Sequence, residues 1–447
     1  MKKTHTAATA LEPEGPSGVA QGGTLASPSL GPTPPMDPAL VTYYGNRRLM
    51  VRNVALIGLC NLSWNVAFTI TGPLIVLRML ELGLRENIQA TINSVNGWAL
   101  SFLVMLFSWM SDHTVSKLGR RKPYLFVSAP FVIAATVIFP FVDEPSLLWL
   151  IVVLYVVKMV AMDLKASTFP LLNIDCVPRH LLAQANSIFT IAGGIVGFFA
   201  MRAAGPLLKV AEWLPFVLAG GLMTATTLMA FWIKEPPVFH PATERFKPWS
   251  TFKVAAQDKR IFVLMAGVAL VNGYFVMQSA WLWFWAKETL NLDRQAIFEA
   301  LSWAGLLNIA LAYPTGWLID RWGAIKVATV FFLGQAMCFG MAMTISDKTG
   351  LIALSLVGTV VGPLYAAVDI MVYKNADPKD VGSITSSNSC IRNAWNATFG
   401  LVAGWVIYWC GHNYRIGYVM GIAATTVGFS LLWIYRWLMT RRASFLR

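Results

Sequence analysis

Twelve apolar runs constrain this chain more than any other feature. They lie at about 52–77, 88–110, 124–142, 146–170, 182–207, 213–233, 260–286, 296–319, 325–345, 350–373, 383–409 and 416–437. A helix needs roughly 20 apolar residues to cross the hydrocarbon core of a bilayer, and each run is about that long. Lipid offers no hydrogen-bond partner to a peptide group, so spanning segments must satisfy their own backbone. Runs of this length do so as helices. The expected fold is an all-α polytopic membrane protein with twelve transmembrane helices.

Composition agrees with the runs. The chain is 56% hydrophobic and 13% charged, whereas soluble domains carry about 25% charged residues. A net charge of +13 would suit a nucleic-acid binder. The basic residues, however, sit in short loops between apolar runs, as the positive-inside rule places them on the cytoplasmic side. With the N-terminus inside, that side carries 24 Lys and Arg and the opposite side 7, with Lys158, Lys165, Arg202 and Arg392 inside the runs. Both termini are therefore expected in the cytoplasm and the protein in the cytoplasmic (inner) membrane, with the lipid bilayer as partner and no nucleic acid. The five cysteines show no pairing or metal-ligand spacing, so free thiols are expected.

The charge and proline pattern also divides the chain. Residues 1–45 hold no apolar run and are rich in Pro, Gly, Ala, Ser and Thr, the composition of a disordered tail. Residues 46–233 form an N-terminal six-helix half and 260–437 a C-terminal one. A polar, proline-rich linker at 234–259 separates them, and 438–447 is a basic cytoplasmic tail. Two hinges recur half a chain apart. The first runs from Ser111-Asp112-His113 to Gly119-Arg120-Arg121-Lys122-Pro123, the second from Gly316 through Asp320-Arg321-Trp322-Gly323 to Lys326. Asp163 with Pro178 and Asp369 with Pro378 repeat at similar offsets. Two pseudo-symmetric halves follow, of the kind transporters build from repeats.

Twelve helices, a basic middle loop and Asp-Arg-x-Gly-type hinges after helices two and eight resemble the major facilitator superfamily. The expanded first hinge, with Asp112, Thr114, Ser116 and Gly119 to Pro123, is similar to that of the glycoside–pentoside–hexuronide cation symporters and the related sucrose transporters. So is Asp175-Cys176-Val177-Pro178 followed by Ala185-Asn186-Ser187. His113 stands where that group usually has Arg. The resemblance implies the major facilitator fold, transport of a small-molecule substrate by alternating access, and a central cavity lined by helices one, four, seven and ten. It implies a sugar or glycoside as substrate. The sodium users of the group carry acidic residues in helix two; here none lies between Ile88 and Ser111. Proton coupling through Asp163 or Asp369 stays open, as does uncoupled flow.

Individual residues then become candidates. Asp112, Gly119, Arg120, Arg121, Asp320 and Arg321 are expected to act in conformational gating, with Asp112 accepting from the N-terminus of a neighbouring helix. An ionisable residue at membrane depth normally faces a cavity or a partner. Lys158 and Asp163 on helix four, Asp369 on helix ten and Arg392 on helix eleven meet that description, with Tyr365 and Asn388 on the faces of the last two. Helix one offers Asn61 and Asn65, and helix seven Tyr274, Gln278 and Trp281. Amides beside an aromatic ring suit a sugar, which has hydroxyls and an apolar ring face. Trp283 and Trp285 read as an interfacial aromatic belt, Arg202 as a snorkelling residue, and Gly193, Gly194 and Gly197 as close-packing positions. No nucleotide loop, nucleophile–base pair or metal-ligand spacing is present, so no catalysis, cofactor or metal is expected. Two other readings fit the same residues: a carrier of another solute, such as an organic anion or exported compound, and a non-transporting membrane assembly factor.

Overall fold

In the computed structural model, residues 38–142, 144–237, 259–277, 281–365, 367–368, 371–372 and 381–445 are described. The chain is all-helical throughout them. The twelve expected runs each contain a helical segment: α1 Arg47–Glu81, α2 Glu86–His113, α3 Lys122–Ile138, α4 Leu148–Cys176, α5 Arg179–Val210, α6 Leu214–Met229, α7 Lys259–Val271, α8 Arg294–Trp322, α9 Ala324–Thr344, α10 Lys348–Val361, α11 Val381–Trp409 and α12 Tyr414–Phe445. Short polar side chains start several of them. Asn46, Asp293 and Asp347 each cap a helix by accepting from a backbone N–H three residues on.

Eight of the spans are long and apolar enough to cross a membrane on composition alone. The exceptions are informative. Every 18-residue window of α4 holds at least three of Lys158, Asp163, Lys165 and Asp175. The seventh span is interrupted: α7 stops at Val271, a short turn covers Gly273–Val276, and a π-turn follows at Trp285–Thr289. Irregular backbone at membrane depth is tolerated where protein or a water-filled cavity surrounds it.

Two boundaries move from the sequence expectation. Pro38–Gly45, within the segment expected as a tail, forms a short helix with Tyr43 buried. The basic C-terminal stretch continues α12 as far as Phe445 rather than leaving the helix at 437. Residues 1–37 and most of the linker, 238–258, lie outside the described residues.

Two ends of the molecule differ. The end that carries Arg120, Arg121, Lys122, Lys234 and Lys326 is called the basic end below, and the opposite end the far end. Along the seam between halves, α2 packs on α11 and α5 on α8. Glycines set the approach. A Cβ on Gly404 would lie 2.3 Å from the Ala90 Cβ, one on Gly97 2.9 Å from the Ala397 Cβ, and one on Gly205 2.7 Å from Gln295. These replace the expected close-packing glycines of α5: Gly197 has nothing within 4 Å and Gly193 only Leu62 at 3.8 Å. One apolar cluster runs through the C-terminal half and across the seam into α1, α2, α4 and α5. A second, including Ile57, Trp64, Leu125, Leu172 and Ile233, stays within the N-terminal half.

Candidate functional site

Lys158, Asp163 and Lys165 of α4 are all buried, and each finds a different environment. Lys165 lies over the rings of Trp64 and Phe169, 5.1 and 4.8 Å from their centroids, inside the N-terminal half. A cation placed so is held by the ring quadrupoles. Lys158 is buried and its Nζ donates to Thr71 Oγ1 of α1 at 3.4 Å. One turn earlier the Tyr155 hydroxyl donates to Asn93 Oδ1 of α2 at 2.7 Å. Asp163 is 6% exposed and meets the Asn96 side chain of α2. Among the described residues its Oδ2 has no hydrogen-bond partner. Ser167, one turn on, spends its hydroxyl on the Asp163 carbonyl at 2.6 Å. The structure therefore joins Asp163 and Lys158 to amides and hydroxyls of α1 and α2, and turns Lys165 away from them.

On the other candidates it is uneven. Asn61 is half-buried and Asn65 exposed on α1. Trp281 is 1% exposed, lies near Gly404 of α11, and leaves its indole N–H without a partner. Tyr365 packs edge-on against Phe331. Asn388 is buried on α11 with Oδ1 unpartnered, and Arg392 is half-buried one turn away. Asn396, one turn past Arg392 on α11, accepts from Asn272 of the seventh span at 2.7 Å. Gln278 and Asp369 lie outside the described residues, as do the side chains of Tyr274 and Asp320.

Trp283 and Trp285 correct the sequence reading. They are 8% and 0% exposed, packed on Phe298 and Tyr418, so they form the core of the far end rather than a lipid-facing belt. Arg202 also differs from expectation: it pairs with Glu299 of α8 at 3.2 Å and lies over Trp303. It is one of several ion pairs that tie the halves together at the far end. Arg294 of α8 holds Glu81 of α1 through both carboxylate oxygens and reaches Glu212 at 3.5 Å. Arg85 approaches Glu288 at 3.5 Å, and His412 hydrogen-bonds Glu86. Further along the seam Trp405 donates to Thr91 at 3.2 Å, Ser94 to the Ala397 carbonyl at 2.6 Å, and Ser101 to the Cys390 carbonyl at 3.4 Å. These cross-half contacts run from the far end to about midway along α2 and α11.

The basic end is built differently. Gly119 sits at φ +108°, a conformation that favours glycine, and a Cβ there would lie 2.4 Å from the Glu235 side chain. This lets the loop curl so that the backbone N–H groups of Arg120, Arg121 and Lys122 donate to the Glu235 carboxylate, at 2.7, 3.3 and 3.1 Å. A carboxylate at a helix N-terminus is favoured by the helix dipole. Arg120 grips Asp175 with a fork at 3.0 and 2.5 Å. Arg121, buried, reaches Asp175 at 3.1 Å and Asp112 at 2.5 Å and also donates to Ser111. Lys122 Nζ donates to the Ile233 carbonyl at 2.8 Å. Asp112 thus pairs with an arginine. The helix-terminus role expected of it belongs to Glu235, which sequence reasoning passed over. In the second hinge Arg321 is exposed and lies 5.1 Å from the Trp317 ring centroid.

These features are those of a helical machine with two halves, and comparison with known proteins agrees. Residues 57–400 match the sequence profile of the Major Facilitator Superfamily. The chain belongs to the Major Facilitator Superfamily. Two solved structures of the nucleoside transporter NupG, one of them a point mutant, share the fold. The mutant aligns with a TM-score of 0.66 at 14% identity over 86% of this chain and 99% of its own. The other aligns with a TM-score of 0.62 at 14% identity over 88% and 99%. No curated protein matches in sequence. Superfamily membership makes this a membrane transport protein with twelve spans in two halves, which binds a small-molecule substrate.

Proposed function

We propose that this protein moves a sugar or glycoside across the cytoplasmic membrane by alternating access, with Asp163 as the proton-coupling carboxylate. The observation that carries the proposal is Asp163 itself: buried in a span, beside the Asn96 amide, with one oxygen that no donor satisfies. A buried carboxylate oxygen without a donor is costly unless a proton or ligand fills it. The Asn96 amide beside Asp163 and Asn388, buried with an unpartnered Oδ1 among the described residues, are groups of the kind that hydrogen-bond sugar hydroxyls. The hinge sequence supports the sugar-symporter branch. The NupG likeness is compatible, because a nucleoside is a ribose glycoside. With the basic end in the cytoplasm, the far-end contacts describe a state closed outside, and both termini lie inside.

Uptake into proteoliposomes is the test, with labelled monosaccharides, disaccharides and nucleosides, with and without an inward proton gradient. The wild type accumulates one of these only with the gradient. Asp163→Asn loses accumulation and keeps exchange of the same solute. No transport of any member of the panel refutes the substrate class, and wild-type uptake indifferent to the gradient refutes coupling. A second reading rests on Lys158, buried with a single long contact to Thr71. It would hold an organic anion, and uptake of carboxylates instead of sugars would select it.

A further inference from the structure

Where the far end closes, three metal-ligand side chains from both halves converge. Glu86 opens α2, Glu288 lies in the π-turn Trp285–Thr289, and His412 sits in the turn between α11 and α12. One donor atom from each lies within 4.8 Å of the others. His412 Nδ1 hydrogen-bonds Glu86 Oε1. The Tyr414 hydroxyl donates to Glu288 Oε2 at 2.5 Å, and Arg85 approaches Glu288 Oε1 at 3.5 Å. Glu86 is completely buried, and its Oε2 has no hydrogen-bond partner among the described residues. Gly404, whose missing side chain lets α11 approach Ala90 and the Glu86 carbonyl, brings the two halves close at this point.

We propose that Glu86, Glu288 and His412 form a binding site for a divalent transition-metal ion of the Zn2+ class, and that the ion clamps the two halves at the far end. Two carboxylates and one imidazole are a donor set that Zn2+ accepts, at roughly 2.0–2.2 Å from each atom. The imidazole disfavours Ca2+ and Mg2+, which take oxygen donors. Ligand atoms on a tetrahedral ion lie about 3.4 Å apart at those bond lengths, so the donor atoms, now within 4.8 Å of one another, draw together by up to about 1.4 Å on binding. Arg85 reaches Glu288 and His412 reaches Glu86, and a divalent ion adds positive charge between the two carboxylates. It also satisfies the bare Glu86 oxygen, which no donor in this state reaches.

The site spans the seam. Glu86 belongs to the N-terminal half, Glu288 and His412 to the C-terminal half. The complete ligand set therefore exists only while the far end is closed, and binding must favour that state. An ion present at 100 times its dissociation constant shifts the equilibrium toward closure about a hundredfold. This inference needs the two halves to separate at the far end but is independent of what the protein carries.

The test is calorimetric titration of ZnCl2 into the full chain in lipid nanodiscs, with purification tags removed. One saturable site is expected. Glu86→Gln and His412→Asn each weaken it at least tenfold, although the two residues sit on opposite halves. Asn tolerates the left-handed backbone at His412, φ +63°, so that variant keeps the turn. Should Glu86→Gln fail to fold, His412→Asn decides alone. Cys410→Ser, which removes the exposed thiol nearby, and His113→Gln, at the other end, leave the affinity unchanged. Absence of saturable binding overturns the proposal. So does affinity that survives His412→Asn, or that Cys410→Ser abolishes.

Discussion

Replacing Glu235 tests how the basic end of the N-terminal half is held together. Its carboxylate accepts three backbone N–H groups at the start of α3. A hydrogen bond to a charged group contributes about 1.5–3 kcal/mol net, and a carboxylate at a helix N-terminus adds about 0.3–1 kcal/mol. Glu235 is half-exposed, so water recovers part of what truncation removes. About 3 kcal/mol is therefore expected for Glu235→Ala, and about 1.4 kcal/mol for Glu235→Gln, which keeps one acceptor oxygen. Cys176 provides the readout. It is 0% exposed and its thiol sits 3.8 Å from the Lys234 carbonyl, beneath the segment that Glu235 anchors. Local opening must precede its alkylation. Each 1.4 kcal/mol is tenfold in an equilibrium, so the maleimide labelling rate of Cys176 rises about tenfold in Glu235→Gln and over a hundredfold in Glu235→Ala. Cys338, buried in α9 of the other half, keeps its rate and serves as the reference. A Cys176 rate within twofold of wild type in Glu235→Ala would refute the anchoring role. Equal acceleration of both thiols would mean global rather than local loosening.

Two further predictions concern the seam. Arg294→Ala removes the fork on Glu81, and with both partners partly exposed the loss is about 1 kcal/mol. Spin-label distances between Lys209 and Asn291, across the far end, then show several-fold more of a longer component; an unchanged distribution would count against a latch. Gly404→Val places its Cβ 2.3 Å from Ala90 and near Trp281, so the same distance lengthens in most molecules and transport stops. A Gly404→Val protein with wild-type distances would show that the seam yields without opening.

The twelve spans were legible because lipid leaves one solution to a backbone's hydrogen bonds, and apolar length reports it directly. The hinge arginines were legible as basic loop residues, but their partners were not. Asp175 lies 55 residues from Arg120 and Glu235 lies 115 away. Only the fold brings the ends of α2, α3, α4 and the segment after α6 to one place. The glycine of the first hinge carried a readable clue, since Gly followed by three cations is a natural anion cradle; which anion fills it depends on tertiary structure. Trp283 and Trp285 misled because an aromatic pair at a span's end serves a lipid interface or a packed core equally well. The far-end acids were missed for a similar reason. Glu86, Glu288 and His412 are separated by hundreds of residues, and short loops of a membrane protein routinely carry such charges.

The difference between the two ends has an energetic logic. Apolar packing crosses the seam, and parting it exposes apolar area at about 25 cal/mol per Å². The polar cross-half contacts at the far end are ion pairs and single hydrogen bonds, several with exposed members, such as Arg294 with Glu81 and Arg202 with Glu299. Such pairs contribute about 0–1 kcal/mol each, and water replaces them when they part. The basic-end network has the opposite character. Arg121 is buried and its guanidinium is shared among Asp112, Asp175 and Ser111 within one half. Removing one partner of a buried ion pair costs about 3–5 kcal/mol, too much for a contact broken at each turnover. The first hinge therefore holds α2, α3, α4 and the segment after α6 together as one rigid body, and the far-end pairs are the contacts weak enough to break when that body rocks. Charge screening should separate the two: raising ionic strength weakens exposed pairs and leaves buried ones nearly intact. In high salt the Lys209–Asn291 distance lengthens while Cys176 stays protected, and salt-induced exposure of Cys176 would contradict the division of labour between the ends.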